Sequence, residues 1–281
     1  MPIARKAVRL ALGPRAGLDK RMEDSKAQDA ARLLYSAWRD QQPIDGLPEQ
    51  CRPNSLDDGY QVQAALEALH DVRVAGYKIG ATNKMAQELF DVDAPFFGRV
   101  LTPSVLDSPA EIAEEVVRLR IIEAEFDFIM GADLPAREVA YGRDEVMAAV
   151  ADLCPAIEVP DSRYVNWREA GMPQLIADNA IAALLVLGSP AQDWRDLNLS
   201  LHPVTVRVNG KLVDEGSGAN VLGDPRNVLV WLANALSERG LGLKAGQVVT
   251  TGSAADVIQV NSGDEVIADF GSLGVAEARF A

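Results

Sequence analysis

The most informative segment of the chain is Arg120-Ile121-Ile122-Glu123-Ala124-Glu125-Phe126-Asp127-Phe128-Ile129. Successive side chains of a β-strand point to opposite faces of the sheet. The stretch therefore predicts a strand with Glu123 and Glu125 on one face, Asp127 as a further candidate there, and apolar side chains packed on the other face. Neighbouring carboxylates repel one another, and an apolar flank makes their ionisation still more costly.

A divalent cation bound between the carboxylates would remove that cost. A third acid, Glu158, lies in Ala156-Ile157-Glu158-Val159-Pro160, a short apolar run that predicts a second strand. Oxygen ligands without nearby Cys or His favour Mg²⁺ or Mn²⁺. The alternative is that these glutamates occupy the solvent face of an antiparallel sheet, and the Glu-x-Glu spacing alone does not separate the two interpretations.

Two further segments carry candidate site residues. Lys78 lies in Gly76-Tyr77-Lys78-Ile79-Gly80, and a lysine beside a metal can act as a general acid or base or can hold an enolate. A solvated surface lysine is the alternative. The hydroxyls and amides of Thr250-Thr251-Gly252-Ser253 suit a small carboxylate ligand, although such turns are also common as plain structure.

The N-terminal part of the chain predicts two helices. Apolar residues recur at helical spacing after Asp24 or Ser25, either of which can cap the first helix. The second helix follows Ser55, which together with Asp58 resembles a capping box. These helices predict a small N-terminal cap over residues 24–72.

Residues 73–281 contain short apolar runs separated by Gly and Pro, a pattern that predicts a sheet-rich body. Alternation over 204–213 around Asn209-Gly210 predicts a hairpin. Helices are predicted from Asp144 to Leu153 and from Asp224 to Arg239. Without a regular strand–helix–strand rhythm, the pattern favours an α+β or mixed-β fold and not a dinucleotide-binding domain.

Composition narrows the function classes. The 281 residues include 41 acidic and 27 basic side chains, a net charge of −14, so we expect no nucleic-acid or anionic-lipid partner. The apolar run Ile181 to Leu187 is far shorter than the roughly 20 residues that span a bilayer. Two cysteines and two histidines are too few for a disulfide framework or a zinc site, which predicts a reducing compartment, the cytoplasm.

Residues 1–23 differ from the rest of the chain. Residues 1–21 hold six basic side chains against Asp19 alone, a local charge of +5. We expect a disordered or targeting-like basic extension here, because termini are often loosely ordered and acid-poor, Arg-rich termini occur in organelle transit peptides.

Several ordered motifs together resemble a known family. They are Gly76-Tyr77-Lys78-Ile79-Gly80-Ala81-Thr82, Glu123-Ala124-Glu125-Phe126, Ala156-Ile157-Glu158-Val159-Pro160-Asp161-Ser162-Arg163, Ile176-Ala177-Asp178-Asn179-Ala180 and Phe270-Gly271-Ser272-Leu273-Gly274. Over about residues 26–281 the chain resembles the 2-keto-4-pentenoate hydratase / 2-oxohepta-3-ene-1,7-dioate hydratase / 4-oxalocrotonate decarboxylase family of the fumarylacetoacetate hydrolase superfamily. The resemblance implies an α+β fold with a strongly twisted mixed β-sheet or β-roll body, a helical cap, and homo-oligomers.

The resemblance also implies roles for individual residues. Glu123, Glu125 and Glu158 match metal ligands for Mg²⁺ or Mn²⁺, and Lys78 matches the site lysine of the family. The positions that match pocket-lining motifs are Thr82, Ser162, Asp178 and Thr251. Asp161 and Arg163 are expected to form a structural ion pair.

One position departs from the family pattern. The hydratases have an aspartate in a Pro-Asp-(Phe/Tyr)-Gly segment about eighteen residues after the lysine, but this chain reads Ala94-Pro95-Phe96-Phe97-Gly98. Phe96 takes the place of the acid and becomes a candidate contact to a more apolar substrate tail. The departure puts the hydration step in doubt and leaves the metal and enolate chemistry intact.

The resemblance implies a metal-dependent lyase that adds water to a 2-hydroxy-2,4-dienoate and gives a 4-hydroxy-2-oxo acid in aromatic degradation. One alternative is a decarboxylase of a 2-oxo-3-enedioate, or a hydrolase that cleaves a carbon–carbon bond of a β-diketo acid. Another is a non-catalytic hydratase-like subunit or a binder of 2-oxo acids. The partner in every case is a small-molecule 2-oxo or 2-hydroxydienoic acid.

Overall fold

The computed structural model describes residues 21–281, so most of the predicted basic extension lies outside the described part. None of the helices in this range is both long and apolar enough to cross a bilayer. The α-helices are α1 (Asp24–Arg39), α2 (Leu56–Leu69), α3 (Lys84–Phe90), α4 (Arg143–Ala148), α5 (Met172–Ala177) and α6 (Pro225–Glu238). The strands are β1 (Val74–Gly80), β2 (Phe96–Leu101), β3 (Val105–Asp107), β4 (Ala110–Ile112), β5 (Ile121–Met130), β6 (Val150–Val159), β7 (Leu184–Leu187), β8 (Pro203–Val208), β9 (Lys211–Ser217), β10 (Val248–Val249), β11 (Ile258–Gln259), β12 (Glu265–Asp269) and β13 (Val275–Phe280).

The larger sheet is mixed and rolls back on itself. Its strand order is β2-β1-β10-β5-β6-β7-β3, and β11 pairs with β5. The pairs β1–β10 and β3–β7 are parallel, whereas β5 and β6 are antiparallel. The edge strands β2 and β3 are joined by Thr102–Ser104. The four peptide units from Leu101 to Val105 span at most about 14 Å, so β2 and β3 lie close together. The gap between these two edge strands forms the seam of the roll.

A second sheet covers the outside of the roll. Its order is β4-β13-β12-β8-β9. Ala124, Phe126 and Phe128 of β5 are fully buried in the main hydrophobic core, which this sheet and α6 complete. Phe126 packs edge-to-face on Phe270 with the ring centroids 4.9 Å apart. The predicted apolar face of β5 and the predicted α+β fold class are both confirmed.

Two local predictions are confirmed in detail. The β8–β9 hairpin turns at Asn209 and Gly210, whose φ angles of 51° and 74° are the left-handed pair that a two-residue turn requires. Helix α6 begins at Pro225, and the carboxylate of Asp224 accepts a hydrogen bond from the Arg226 amide as its N-cap.

The predicted helix from Asp144 to Leu153 is wrong in its second half. Helix α4 ends at Ala148, and β6 begins at Val150. Val150 pairs with Met130 in a ladder that continues along the length of β5. The ladder hydrogen bonds and the buried strand face outweigh the helical periodicity of this short segment, a tertiary effect that local patterns do not contain.

The cap forms around α1 and α2. Ser55 accepts a hydrogen bond from the Asp58 amide at 3.1 Å and caps α2 as predicted. The N-cap of α1 is Glu23 and not Asp24 or Ser25. Met22, assigned to the extension by sequence, is bound to α2, because its amide donates to the Asp58 carboxylate at 3.0 Å.

The core of the cap is not made by residues 24–72 alone. Leu34 of α1 and Val62 of α2 share one buried cluster with Tyr164 and with Ile176 of α5. Gln63 of α2 also donates hydrogen bonds to the carbonyls of Phe97 and Ile176. The cap is therefore fixed to the body by both packing and buried polar contacts.

Gly76 tests the packing of the roll. A Cβ added at Gly76 would lie 1.8 Å from the carbonyl oxygen of Val248 on β10. Relieving this clash would require a shift of the backbone of β1 or β10, which costs free energy. We expect Gly76→Ala to lower the free energy of unfolding by about 1–3 kcal/mol in urea titrations. Gly142→Ala is the control, because nothing lies within 4 Å of a Cβ there. Equal stability of the two variants would contradict the close approach of β1 and β10.

Candidate active site

The register of β5 and β6 brings three glutamates together inside the roll. Glu123 pairs directly with Glu158, and Glu125 pairs with Ala156. One carboxylate oxygen from each glutamate lies within 4.8 Å of the others. Glu125 and Glu158 are 0% and 2% exposed, so the solvent-face interpretation is wrong for both, while Glu123 is half-buried.

Lys78 of β1 completes the cluster. It is 3% exposed, and its Nζ lies 3.2 Å from Oε1 of Glu158, which excludes the solvated-surface interpretation. Burial disfavours the charged ammonium, but the three glutamates outweigh burial and raise the pKa of Lys78. Lys78 is therefore a buried cation in the metal-free protein.

The backbone of the Thr251 turn holds Glu125 in place. The amides of Thr251 and Gly252 donate to Oε2 of Glu125 at 2.8 and 2.7 Å, and the Thr251 hydroxyl donates to the Phe126 carbonyl. Gly252 has a φ of 89°, and a Cβ there would lie 2.0 Å from Oγ1 of Thr82. These two amides therefore bind the carboxylate of Glu125, and a substrate contact of Thr251 remains a prediction.

The donor set fits a hard divalent cation. Oε1 of Glu125 and Oε2 of Glu158 have no hydrogen-bond partner within residues 21–281, although both are buried. Burial, and then the charge of Glu158, raise the pKa of Glu123 to about 7 and that of Glu125 well above its usual range. A cation stabilises carboxylates that are buried close together and have oxygens without a protein partner.

Asp127 continues the same face of β5 below the glutamates. It is fully buried, lies opposite Cys154, and has no partner for either carboxylate oxygen among the described residues. Burial, and then Glu158, raise its pKa well above the usual value. The alternation predicted this orientation, but Asp127 is outside the group of three glutamates whose oxygens converge.

The structure gives Asp178 a partner that the sequence did not predict. The predicted ion pair between Asp161 and Arg163 is wrong, because Arg163 pairs with Asp178: its Nε faces Oδ1 of Asp178, and its amide donates to Oδ2 at 2.9 Å. Ser162 donates its hydroxyl to the same oxygen at 2.7 Å. Asp161 instead accepts from the backbone amides of Arg118 and Leu119. Ser162 and Asp178 are therefore hydrogen-bonded to each other, and their contacts with a substrate remain a prediction.

Phe96 lies beside the face of β1 that carries Lys78, and its side chain belongs to the buried cluster that forms the core of the cap. It pairs with Gly80, and its Cζ is 2.6 Å from where a Cβ on Gly80 would be. Since residues 78 and 80 share a face, the ring covers the strand two positions from Lys78. Phe96 is 3% exposed and packs edge-to-face on Phe90. The position that carries an acid in the family pattern is therefore dry and apolar here.

Arg99 and Asn179 are neighbours of the site that the sequence analysis did not single out. Asn179, Ala180 and Ile181 form a left-handed turn with φ of 53°, 54° and 55°, a costly conformation for residues other than glycine. The Asn179 amide accepts from the Arg99 amide at 2.7 Å and donates to its carbonyl at 2.8 Å. The sequence did carry a signal for Arg99, because it is a charged residue within the apolar run Phe96–Leu101. The same pattern, a charge within an apolar run, drew attention to Glu158.

A cavity opens at the seam of the roll. Lys78, Glu158 and Thr250 line its inner end, and Arg99 and Leu184 line the two sides of the seam. The predicted pocket residues Thr82, Phe96, Ser162, Asp178 and Thr251 do not line this cavity. Thr251 contacts Glu125 instead, Phe96 belongs to the buried cluster of the cap, and Ser162 and Asp178 are bound to each other.

Comparisons with known proteins place the chain in a family. The sequence model of the fumarylacetoacetate (FAA) hydrolase C-terminal domain matches residues 79–281. The chain belongs to the fumarylacetoacetate hydrolase family. It is 31% identical over 263 residues to 2-keto-4-pentenoate hydratase of Paraburkholderia xenovorans (strain LB400), which covers 92% of this chain and 96% of that protein.

Two further relatives are of the same size as this chain. It is 28% identical to 2-hydroxyhexa-2,4-dienoate hydratase of Comamonas testosteroni, over 93% of this chain and 98% of that one. The structure of 4-oxalocrotonate decarboxylase from Pseudomonas putida G7, complexed with magnesium and adipate, superposes with a TM-score of 0.86 and 25% identity, covering 94% of this chain and 100% of that chain. The predicted β-roll with a helical cap and the predicted family are confirmed.

The raised pKa values predict how a cation changes stability with pH. The folded metal-free protein holds protons on Glu123, Glu125 and Asp127 that the unfolded chain releases above about pH 4.5, so these groups lower stability as pH rises toward 8. Since a cation favours the ionised carboxylates, the rise in melting temperature caused by Mg²⁺ should grow from pH 5 to pH 8. Calorimetry of chelator-treated protein with and without Mg²⁺ measures it.

Two variants control that experiment. Glu125→Gln should abolish most of the Mg²⁺-dependent rise, whereas Glu115→Gln, an exposed glutamate, should keep it. A rise of equal size at every pH would contradict the assignment of the raised pKa values to the cation site.

The ion pair of Asp178 makes a separate prediction. Asp178→Asn leaves the Arg163 guanidinium buried without its counter-charge, and we expect the free energy of unfolding to fall by about 3–5 kcal/mol. Asp40→Asn, which breaks the exposed pair with Arg39, should leave stability unchanged. Wild-type stability of Asp178→Asn together with weaker binding of 2-oxo acids would instead support Asp178 as a substrate contact.

Proposed function

We propose that the protein is a divalent-metal-dependent hydratase that adds water to a 2-hydroxy-2,4-dienoate and gives a 4-hydroxy-2-oxo acid in the degradation of aromatic compounds. The observation that carries the proposal is the buried cluster of Glu123, Glu125, Glu158 and Lys78, in a chain 31% identical to a 2-keto-4-pentenoate hydratase. An enzyme of this kind is a carbon–oxygen lyase.

Glu123, Glu125 and Glu158 would hold the cation. When bound, it supplies a Lewis acid for the charge that grows on the 2-oxygen of the substrate. We favour Mg²⁺ or Mn²⁺, since all the donors are carboxylate oxygens and the decarboxylase neighbour is complexed with magnesium. A related decarboxylase structure holds calcium, so the choice of ion needs a direct test.

Each residue of the cluster has a task that its surroundings support. The amides of Thr251 and Gly252 fix one oxygen of Glu125 and leave the other free. Lys78, held against Glu158, presents an ammonium that can stabilise an enolate or donate a proton to it. The burial of the cluster excludes bulk water and strengthens these charge interactions.

Decarboxylation of a 2-oxo-3-enedioate is the second candidate. It is supported by the TM-score of 0.86 with 4-oxalocrotonate decarboxylase and by Phe96, which removes the acid of the hydratase pattern. Carbon–carbon hydrolysis has less support, because neither imidazole in residues 21–281 forms an ion pair with a carboxylate. His202 contacts the Phe270 carbonyl, and His70 packs on Trp38.

The cellular location and the oligomeric state of the enzyme are part of the same proposal. Both cysteines are free and buried, in agreement with a cytoplasmic location. We propose a homo-oligomer, as the family resemblance implies. The intact cluster argues against a non-catalytic subunit, since a scaffold has no use for four buried charged groups.

The test uses metal-loaded protein and two substrates. We expect 2-hydroxypenta-2,4-dienoate to give 4-hydroxy-2-oxopentanoate, identified by NMR, and EDTA to abolish the reaction. Glu125→Gln and Lys78→Met should each lower kcat/KM by about 10² or more. Lys84→Met, at an exposed lysine, is the matched control and should retain activity.

The second substrate separates the candidates. Release of CO₂ from 2-oxohex-3-enedioate without hydration of the first substrate would select the decarboxylase. Phe96→Asp tests the departure from the family pattern: an unchanged hydration rate would show that this position does not control the second step.

A further inference from the structure

The cavity at the seam leads from the catalytic cluster to the cap. Its inner end is lined by Lys78 and Glu158, and its outer end by Leu34 and Trp38 of α1 and by Leu66 of α2. A substrate whose reacting end lies at the glutamates therefore extends its other end between the cap helices and the seam.

The cationic side chains of this cavity already have partners. Arg99 is 6% exposed; its Nε pairs with Glu67, and its Nη1 donates to Gln63, both on α2. Arg163 has its guanidinium occupied by Asp178 and by the Ala182 carbonyl. The charge of each guanidinium is therefore already balanced by a carboxylate of the protein, that of Arg99 by Glu67 and that of Arg163 by Asp178.

His70, which also lines the cavity, adds no charge near neutral pH. Burial, and then the charge of Arg163, lower the pKa of His70 below its usual value. Its ring packs edge-on against Trp38 and Tyr35, with centroids 4.7 and 5.0 Å apart. The two rings contact it from α1, and Arg163 is the charged group that acts on it.

We infer that this cavity receives the distal end of the substrate and selects an uncharged, apolar tail against a second carboxylate. The inference rests on the proposed function, and it narrows the substrate class to monocarboxylic 2-hydroxydienoates with an extended alkyl or aryl substituent. A second carboxylate in the cavity would be buried beside cations whose charge protein carboxylates already balance, which is costly, whereas methylene groups would contact leucine and tryptophan side chains.

Binding of saturated 2-oxo acids tests the inference without turnover. Titration calorimetry on the Mg²⁺-loaded protein compares 2-oxopentanoate, 2-oxohexanoate and 2-oxoheptanoate with the diacid 2-oxoheptanedioate. We expect about fourfold tighter binding for each added methylene. The diacid should bind at least tenfold more weakly than 2-oxoheptanoate. Equal or tighter binding of the diacid, or no gain with chain length, would overturn the inference.

A charge variant tests the cause. Glu67 is partly exposed, and Glu67→Gln frees Arg99, so binding of the diacid should rise at least fivefold while binding of 2-oxoheptanoate changes little. Glu49→Gln removes the same charge from an exposed position on the cap and should leave both affinities unchanged. Unchanged diacid binding in Glu67→Gln would refute the argument from paired arginines.

The failure of the two proposals can be told apart. A protein that binds long 2-oxo monoacids with the expected preference but does not hydrate 2-hydroxypenta-2,4-dienoate would contradict the proposed reaction and keep the cavity assignment. A protein that hydrates the dienoate but prefers the diacid in binding would contradict the cavity assignment alone.

Discussion

Repulsion between Glu123, Glu125 and Glu158 is the constraint on which the rest of the structure depends. Their carboxylates are buried within 4.8 Å of one another, so the fold must hold them together against their charge. The ladder between β5 and β6, the backbone amides at the Thr251 turn and the ammonium of Lys78 supply that force. A bound cation would be a fourth contribution that offsets the repulsion. The three glutamates would then both bind the cation that stabilises the fold and take part in the chemistry.

The local patterns of the chain predicted much of this arrangement. Alternation gave β5 its charged and apolar faces, and Asn209-Gly210 and Asp224-Pro225 marked their hairpin and helix. The resemblance to a family added the convergence of Glu158 and Lys78 on that charged face, which no spacing between distant segments can show. The roll itself comes from strand order, and strand order is set by contacts between segments far apart in sequence.

What the sequence did not predict depends on partners distant in the chain. The carboxylate of Asp178 is bound by Arg163 and Ser162, and neither contact was predicted. The amides of the Thr251 turn bind a carboxylate of the protein itself. The helix predicted to Leu153 gives way to β6 because Val150 has a strand to pair with. Residue type was the right guide to the chemistry of these groups, and only the fold assigns their partners.

The Asn179 side chain has a wider consequence. Its amide takes the place of a neighbouring strand along the outer edge of β2, so the roll is left open where a barrel would be sealed by a backbone ladder. The carboxylates are held on β5 and β6, in the middle of the strand order, at the inner end of the cavity. A change of side chain at the opening therefore alters the outer end of the cavity and leaves the ladder between β5 and β6, which carries the carboxylates, intact.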